Sequence, residues 1–262
     1  MSYDTQLITL IEYLQKERPE KHFPSLSDLS ILEKWEVFRG LCNERKPEPV
    51  TDVFLEIQND FLTKWNREET LITMNDMTAY TPHLYLWQGD ITHLKVDGIV
   101  NAANSTLLGC TRANHDCIDN IIHTKAGVQL RLTCHQLMTE QGRSEPIGKA
   151  KITPAFNLPP TFVIHTVGPF IDARGVTPLR EKLLRDAYYA CLQVADEHGL
   201  SSIAFPCIST GEFQFPNKQA AEIALETVKK YIEKTSSQLK IVFNVFKDED
   251  KHIYESLLTE GV

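Results

Sequence analysis

A chain of 262 residues can form one large domain, or a domain of ordinary size with an extension. Its composition, 42% hydrophobic and 24% charged, is that of a globular protein. A net charge of −8 excludes a protein that grips nucleic acid with its whole surface. No stretch reads as a membrane span, and the start, Met1-Ser2-Tyr3-Asp4, lacks a basic leader before an apolar core. The expectation is therefore a cytoplasmic location, with neither membrane nor nucleic acid as partner.

Residues 1–80 contain no convincing strand. Leu7, Ile8, Leu10, Ile11 and Leu14 recur at helical spacing and stop before Arg18-Pro19. A second helix is predicted from Ser27-Asp28, with Ile31, Leu32, Trp35, Phe38 and Leu41 on one face, ended by Pro47 and Pro49. A third, from about Thr51, uses Val53, Phe54, Ile57, Phe61, Leu62 and Trp65. Three such helices suit a small bundle packed against a larger domain over 81–262.

From His83 the rhythm changes. Short apolar strands are predicted at 84–88, 97–102, 149–154, 161–167, 202–208 and 240–246. Helices are predicted at about 117–139, 178–198, 217–234 and 249–258. That alternation implies an α/β sandwich with its sheet covered on both faces. There are no internal repeats. Ligands of such sheets sit beyond the carboxyl ends of the strands. Asp90, Asn104 and Ser209-Thr210-Gly211 all fall just after strands, so one crevice could collect them.

Six cysteines (Cys42, Cys110, Cys117, Cys134, Cys191, Cys207) are scattered with one close pair, which in a cytosolic chain suggests free thiols, with room for a metal site, rather than a disulfide framework. Cys110, His115 and Cys117 have the spacing Cys-x4-His-x-Cys. Thiolate and imidazole suit zinc, and three protein ligands leave a fourth position open. Residues two apart on a helix point roughly 200° apart, so His115 must lie in a loop with Cys117 near the helix's first turn. There the helix dipole would lower the thiol's pKa. The alternative is two small buried apolar cysteines and a surface histidine. His123 and Cys207 are rival ligands, the first too far along its helix, the second in the crevice wall.

Pro206-Cys207-Ile208-Ser209-Thr210-Gly211-Glu212-Phe213 follows one strand and precedes a helix starting near Asn217. Its small residues let consecutive N–H groups face an anion, without the lysine of a Walker loop. Taken alone, such a Ser-Thr-Gly run is more often an ordinary turn. The helix start at Cys117-Ile118-Asp119 is a second anion-friendly end, and two such ends suit a diphosphate.

Four stretches then converge on a family. Gln88-Gly89-Asp90-Ile91-Thr92, Asp97-Gly98-Ile99-Val100-Asn101-Ala102-Ala103-Asn104-Ser105, His165-Thr166-Val167-Gly168-Pro169 and Pro206-x-Ile208-Ser209-Thr210-Gly211 resemble the macrodomain pattern, in order, over about 180 residues. The resemblance implies a three-layer α/β/α fold with a mixed sheet that binds ADP-ribose. Ordinary members have a glycine-rich loop where this chain has Gly109-Cys110-Thr111-Arg112-Ala113-Asn114-His115-Asp116-Cys117-Ile118-Asp119-Asn120. In this it is similar to the zinc-containing bacterial macrodomains, which also carry an N-terminal helical extension like residues 1–80.

The resemblance implies one zinc ion on Cys110, His115 and Cys117, and hydrolytic removal of mono-ADP-ribose from modified proteins. Relatives of this kind are often encoded beside a sirtuin-type ADP-ribosyltransferase and a lipoyl-carrier protein of the glycine-cleavage type. By position, Asp90 would accept from the adenine amino group and the Ile91 N–H would read a ring nitrogen. Phe246 resembles the aromatic that stacks on adenine, though it could be ordinary core. Ser209, Thr210, Gly211, Glu212 and Phe213 would cradle the diphosphate and nearby ribose, with Cys117, Ile118 and Asp119 at the helix start. Asn104 would bind the terminal ribose beside the metal. Two other functions stay open: a reader that binds ADP-ribose without cutting it, and a deacetylase of O-acetyl-ADP-ribose.

Overall fold

The first three helices bury a core of their own. The computed structural model describes residues 1–20, 25–68 and 70–260. Helices α1 (Tyr3–Lys16), α2 (Ile31–Glu44) and α3 (Asp52–Glu68) pack Leu7, Leu10, Leu14, Phe38, Phe61 and Leu62 together, with Trp35 stacked on Trp65 at 5.1 Å. The second helix starts later than Ser27-Asp28. Ser30 caps it because Glu33, three residues on, returns the hydrogen bond to the Ser30 N–H at 2.8 Å. Leu32 and Val53, which spacing puts on the apolar faces, are exposed; both sit in the first turn of their helix.

Among the described residues the sheet has seven strands, β1 (Thr78–Ala79), β2 (Leu84–Gln88), β3 (Gly98–Ala102), β4 (Ala150–Pro154), β5 (Phe162–Thr166), β6 (Ser202–Phe205) and β7 (Lys240–Val245). Their order is β1-β2-β7-β6-β3-β5-β4, with β2, β7, β6, β3 and β5 parallel and the two edges antiparallel. This is the mixed sheet expected, with one correction: β1 lies within 1–80, where no strand was predicted. Two residues carry too little alternation to be read, and pairing with Tyr85 and Leu86 makes the strand. Strand β6 stops at Phe205 because Pro206 has no N–H to continue the ladder.

Neighbouring strand residues face opposite cores. Val100, Ile164, Ile203 and Ile241 pack beneath α6 (Pro178–Glu197), α7 (Asn217–Thr235) and α8 (Asp248–Glu260). Ile99, Val163, Ala204 and Val242 pack on the other side against α4 (Ile118–Ala126) and α5 (Val128–Gln141). The helix expected over 117–139 is therefore two. Gly127 between them has φ +96°, and a Cβ there would sit 2.6 Å from Gln58 Nε2. The Gln58 side chain, from α3, accepts from Val128 N at 3.0 Å and starts the second helix. No helix among the described residues is long and apolar enough to cross a membrane.

Candidate functional site

Because β2, β3, β6 and β7 run parallel, their carboxyl ends share one edge of the sheet. Asp90 follows β2, Asn104 follows β3, the Ser209–Phe213 loop follows β6 and Phe246 follows β7. The register Gln88↔Val245 sets Asp90 and Phe246 beyond neighbouring strand ends. Asp90 Oδ1 accepts from Thr92 N at 2.9 Å and Thr92 Oγ1 at 2.7 Å, capping the turn Ile91–His93. Its other oxygen stands 3.5 Å from the buried Lys125 Nζ. Phe246 is 75% exposed, so the ordinary-core alternative fails and its ring has a free face.

The loop after β6 is held from within and from below. Ser209 has φ +69°, and its carbonyl accepts from Phe215 N at 2.9 Å. The Phe213 carbonyl accepts from Ile171 N at 2.9 Å, and its ring meets Phe170 edge to face at 5.9 Å. Gly168 lies directly under this loop: a Cβ there would collide with Ser209 Oγ. Gly168→Ala should therefore lower the unfolding free energy by about 1–3 kcal/mol. Urea unfolding measures it, and an unshifted midpoint would mean that the loop moves aside without cost.

Cys110, His115 and Cys117 come together. All three are half-buried, with their ligating atoms within 4.8 Å of one another. Cys110 Sγ lies 3.6 Å from His115 Nδ1. The other ring nitrogen, Nε2, faces Glu212 Oε1 at 3.3 Å, so the phosphate-type loop reaches the trio. Two thiols and an imidazole on one point are the donors a borderline-soft divalent cation takes. Cys117 stands at the N-cap of α4, making no side-chain cap bond. Burial pushes its thiol up to about 12, with the Cys110 thiol and the Asp119 carboxylate adding to this. The lowering expected from the helix start is present through the Asn120 N–H but is outweighed by desolvation. A cation beside such a thiol supplies the charge it needs to ionise.

Beneath the trio lies a polar layer. Asn104 Nδ2 donates to Gly109 O at 3.1 Å and lies 3.3 Å from Asp119 Oδ2, while its Oδ1 accepts from Thr106 N at 2.9 Å. The Asp119 side chain points inward, accepting from Asn101 Nδ2 at 2.8 Å. Burial raises its pKa to about 6, against the pull of Asn101, Arg131 and Asn104. His123 does not join the trio. It packs under Gly109, with its ligating nitrogen near Cys134 and His165 in a second, wholly buried group. Burial holds both imidazoles neutral, His165 at about 3 and His123 well below the ordinary value. Cys207 packs against the core on the α6–α8 side.

The structure adds residues that the sequence did not single out. Arg39 and Asn43 reach the trio's loop from α2, and Asn101 orients Asp119. Asn101 stood in a motif and so had a signal. Arg39, 76 residues before His115, had none.

A model of the Macro domain matches residues 100–224. A curated Staphylococcus aureus (strain MSSA476) "Protein-ADP-ribose hydrolase" is 48% identical over 254 residues, 97% of this chain and 95% of that one. One from Treponema medium, of the same name, is 47% identical over 263 residues, 99% of this chain and all of its own length (100%). Among solved structures, an Oceanobacillus iheyensis macrodomain variant with ADPR superposes with a TM-score of 0.63 at 35% identity, over 70% of this chain and 96% of that one. The Trypanosoma brucei macrodomain in complex with ADP-ribose gives 0.65 at 27%, over 80% and 92%. With identity spread over nearly its whole length, and with this sheet order, the chain belongs to the Macro domain family.

Proposed function

We propose that this chain is a protein-ADP-ribose hydrolase that removes mono-ADP-ribose from modified proteins and carries one zinc ion. The observation that carries the reading is the meeting of Cys110, His115 and Cys117 with the Ser209–Phe213 loop and Asn104 at one sheet edge. It is supported by near full-length identity to relatives named for that activity.

Asp90 accepts from the adenine amine while Phe246 covers the ring. N–H groups of the Ser209–Phe213 loop and of Ile118 and Asp119 hold the diphosphate, because the first turn of a helix leaves its N–H groups without intrahelical acceptors. Asn104 turns its amide from Gly109 O to the terminal ribose. Cys110 and Cys117 through sulfur, and His115 through Nδ1, would hold the zinc. The chemistry such an ion supplies is Lewis acidity at an open fourth position. The Glu212 carboxylate lies 3.3 Å from His115 Nε2, and a proton held there would leave Nδ1 free to ligate. Glu212→Gln should weaken metal retention roughly 10-fold, read by competition with a chromogenic chelator.

The test of the function is release of free ADP-ribose from mono-ADP-ribosylated protein, run beside O-acetyl-ADP-ribose. A modified lipoyl-carrier protein, the product of a sirtuin-type transferase, is the first substrate to try. Release from protein supports the hydrolase. Binding without release identifies a reader, and turnover of the small ester alone identifies a deacetylase.

A further inference from the structure

The loop that carries the trio has little to hold its shape. Between Cys110 and Cys117 it forms no regular structure, residues 111–114 and Asp116 are exposed, and Asn114 has φ +51°. Its internal backbone bonds are His115 N to Arg112 O at 3.3 Å and Cys117 N to His115 O at 2.9 Å. Beyond the Glu212 carboxylate near His115 and Arg112, further anchors come from α2, directly and through Asn120 of α4. Arg39 Nη2 donates to His115 O at 2.9 Å, and its Nε donates to Asn120 Oδ1 at 3.1 Å. Asn120 Nδ2 in turn donates to Arg112 O at 3.0 Å. Asn43 Oδ1 accepts from Asn114 N at 3.0 Å, while its Nδ2 donates to Thr124 Oγ1 at 2.9 Å.

We infer that Arg39 and Asn43 of the N-terminal helical segment are positioning residues that hold the loop 110–117 in its metal-ligating shape. This rests on the zinc reading above. Arg39 is nearly buried; among the described residues the carboxylates of Glu36 and Asp116 lie 3.6 and 3.7 Å away, while its hydrogen bonds bridge the His115 carbonyl and Asn120 Oδ1. A guanidinium spans two acceptors as a rigid fork, which a lysine cannot do. Packing supports the same assignment: α2 passes so close that a Cβ on Gly40 would lie 3.2 Å from Asn114 Oδ1. The loop's own backbone bonds tie His115 only to Arg112 and Cys117 within the loop, whereas Arg39 ties the carbonyl of this ligating residue to α2. The helical segment is thus part of the metal site's support as well as a neighbour of the sheet.

The test follows zinc transfer from the full-length chain to a chromogenic chelator, with backbone amide exchange of residues 112–117 measured alongside. Arg39→Ala and Asn43→Ala should release zinc about 10- to 100-fold faster than wild type, and Arg39→Lys should fall between. The same variants should exchange the 112–117 amides faster while α6 keeps its protection. Gln6→Ala is the control: its amide donates to Asp60 at 2.7 Å within the bundle, far from the loop in the hydrogen-bond network, and it should release zinc at the wild-type rate. Should Arg39→Ala not fold, Asn43→Ala and Arg39→Lys decide. Release at the wild-type rate from the Arg39 and Asn43 variants overturns the inference. So does equally fast release from Gln6→Ala, which would make the effect general loosening. If wild type itself carries no stoichiometric zinc, the metal reading falls and amide exchange alone decides the positioning role. Unchanged exchange at 112–117 then sinks it.

Discussion

Cys117→Ala is expected to abolish stoichiometric zinc and to slow ADP-ribose release from modified protein by on the order of 10²- to 10⁴-fold, the value of several kcal/mol of Lewis-acid stabilisation. The substitution is clean. Cys117 makes no regular side-chain cap bond to α4, and its sulfur draws only on the Asn120 N–H, so its loss does little to unpin the helix. Thermal unfolding should therefore move little once the metal's own contribution is allowed for. Binding of free ADP-ribose separates two roles for the ion. An affinity within a few-fold of wild type, with turnover lost, means that the metal acts on the reaction. Affinity and turnover lost together mean that it orients the terminal ribose. Full release from protein that contains no metal would remove zinc from the chemistry altogether.

Beyond the carboxyl end of β2, Asp90→Asn is expected to weaken ADP-ribose binding about 10- to 100-fold, the range for losing a hydrogen bond to a charged group. Asparagine is the informative replacement because it retains an oxygen for Thr92 N and Oγ1, and so keeps the turn Ile91–His93. It takes away only the charge and turns an amide N–H toward the adenine amine, a donor against a donor. The guanine counterpart carries a carbonyl at that place, so discrimination between the two should narrow. Lys125, 3.5 Å from the carboxylate, loses an anionic neighbour, and a stability measurement should accompany the titration. Unchanged affinity by calorimetry would mean that adenine binds elsewhere.

These two predictions differ in how their residues became visible. Asp90 and Cys117 lie at the ends of local patterns: an alternating strand before one, an apolar helix after the other. Glu212 illustrates the opposite case. It stood in the sequence as one more residue of an anion loop, and only the fold brings its carboxylate to His115 Nε2. Asn104 was readable as a site residue from its place after β3, but its present partners, Gly109 O and Asp119, were not.

Local patterning by itself determined the layers. Ile99 and Val100, Val163 and Ile164, Ala204 and Ile203 alternate between two cores because successive strand side chains point to opposite faces, and that period is written in adjacent residues. It also determined the metal candidate, since eight consecutive residues from Cys110 to Cys117 hold all three donors. Tertiary structure alone decided the rest. The helix after Cys117 breaks at Gly127 because Gln58, from another helix, takes the Val128 N–H. Burial pushes the Cys117 thiol up to about 12 because packing strips its water, which outweighs the helix start. Arg39 meets His115 only once two separately patterned segments dock. Such contacts are set by which surfaces fit together, and a surface has no period along the chain.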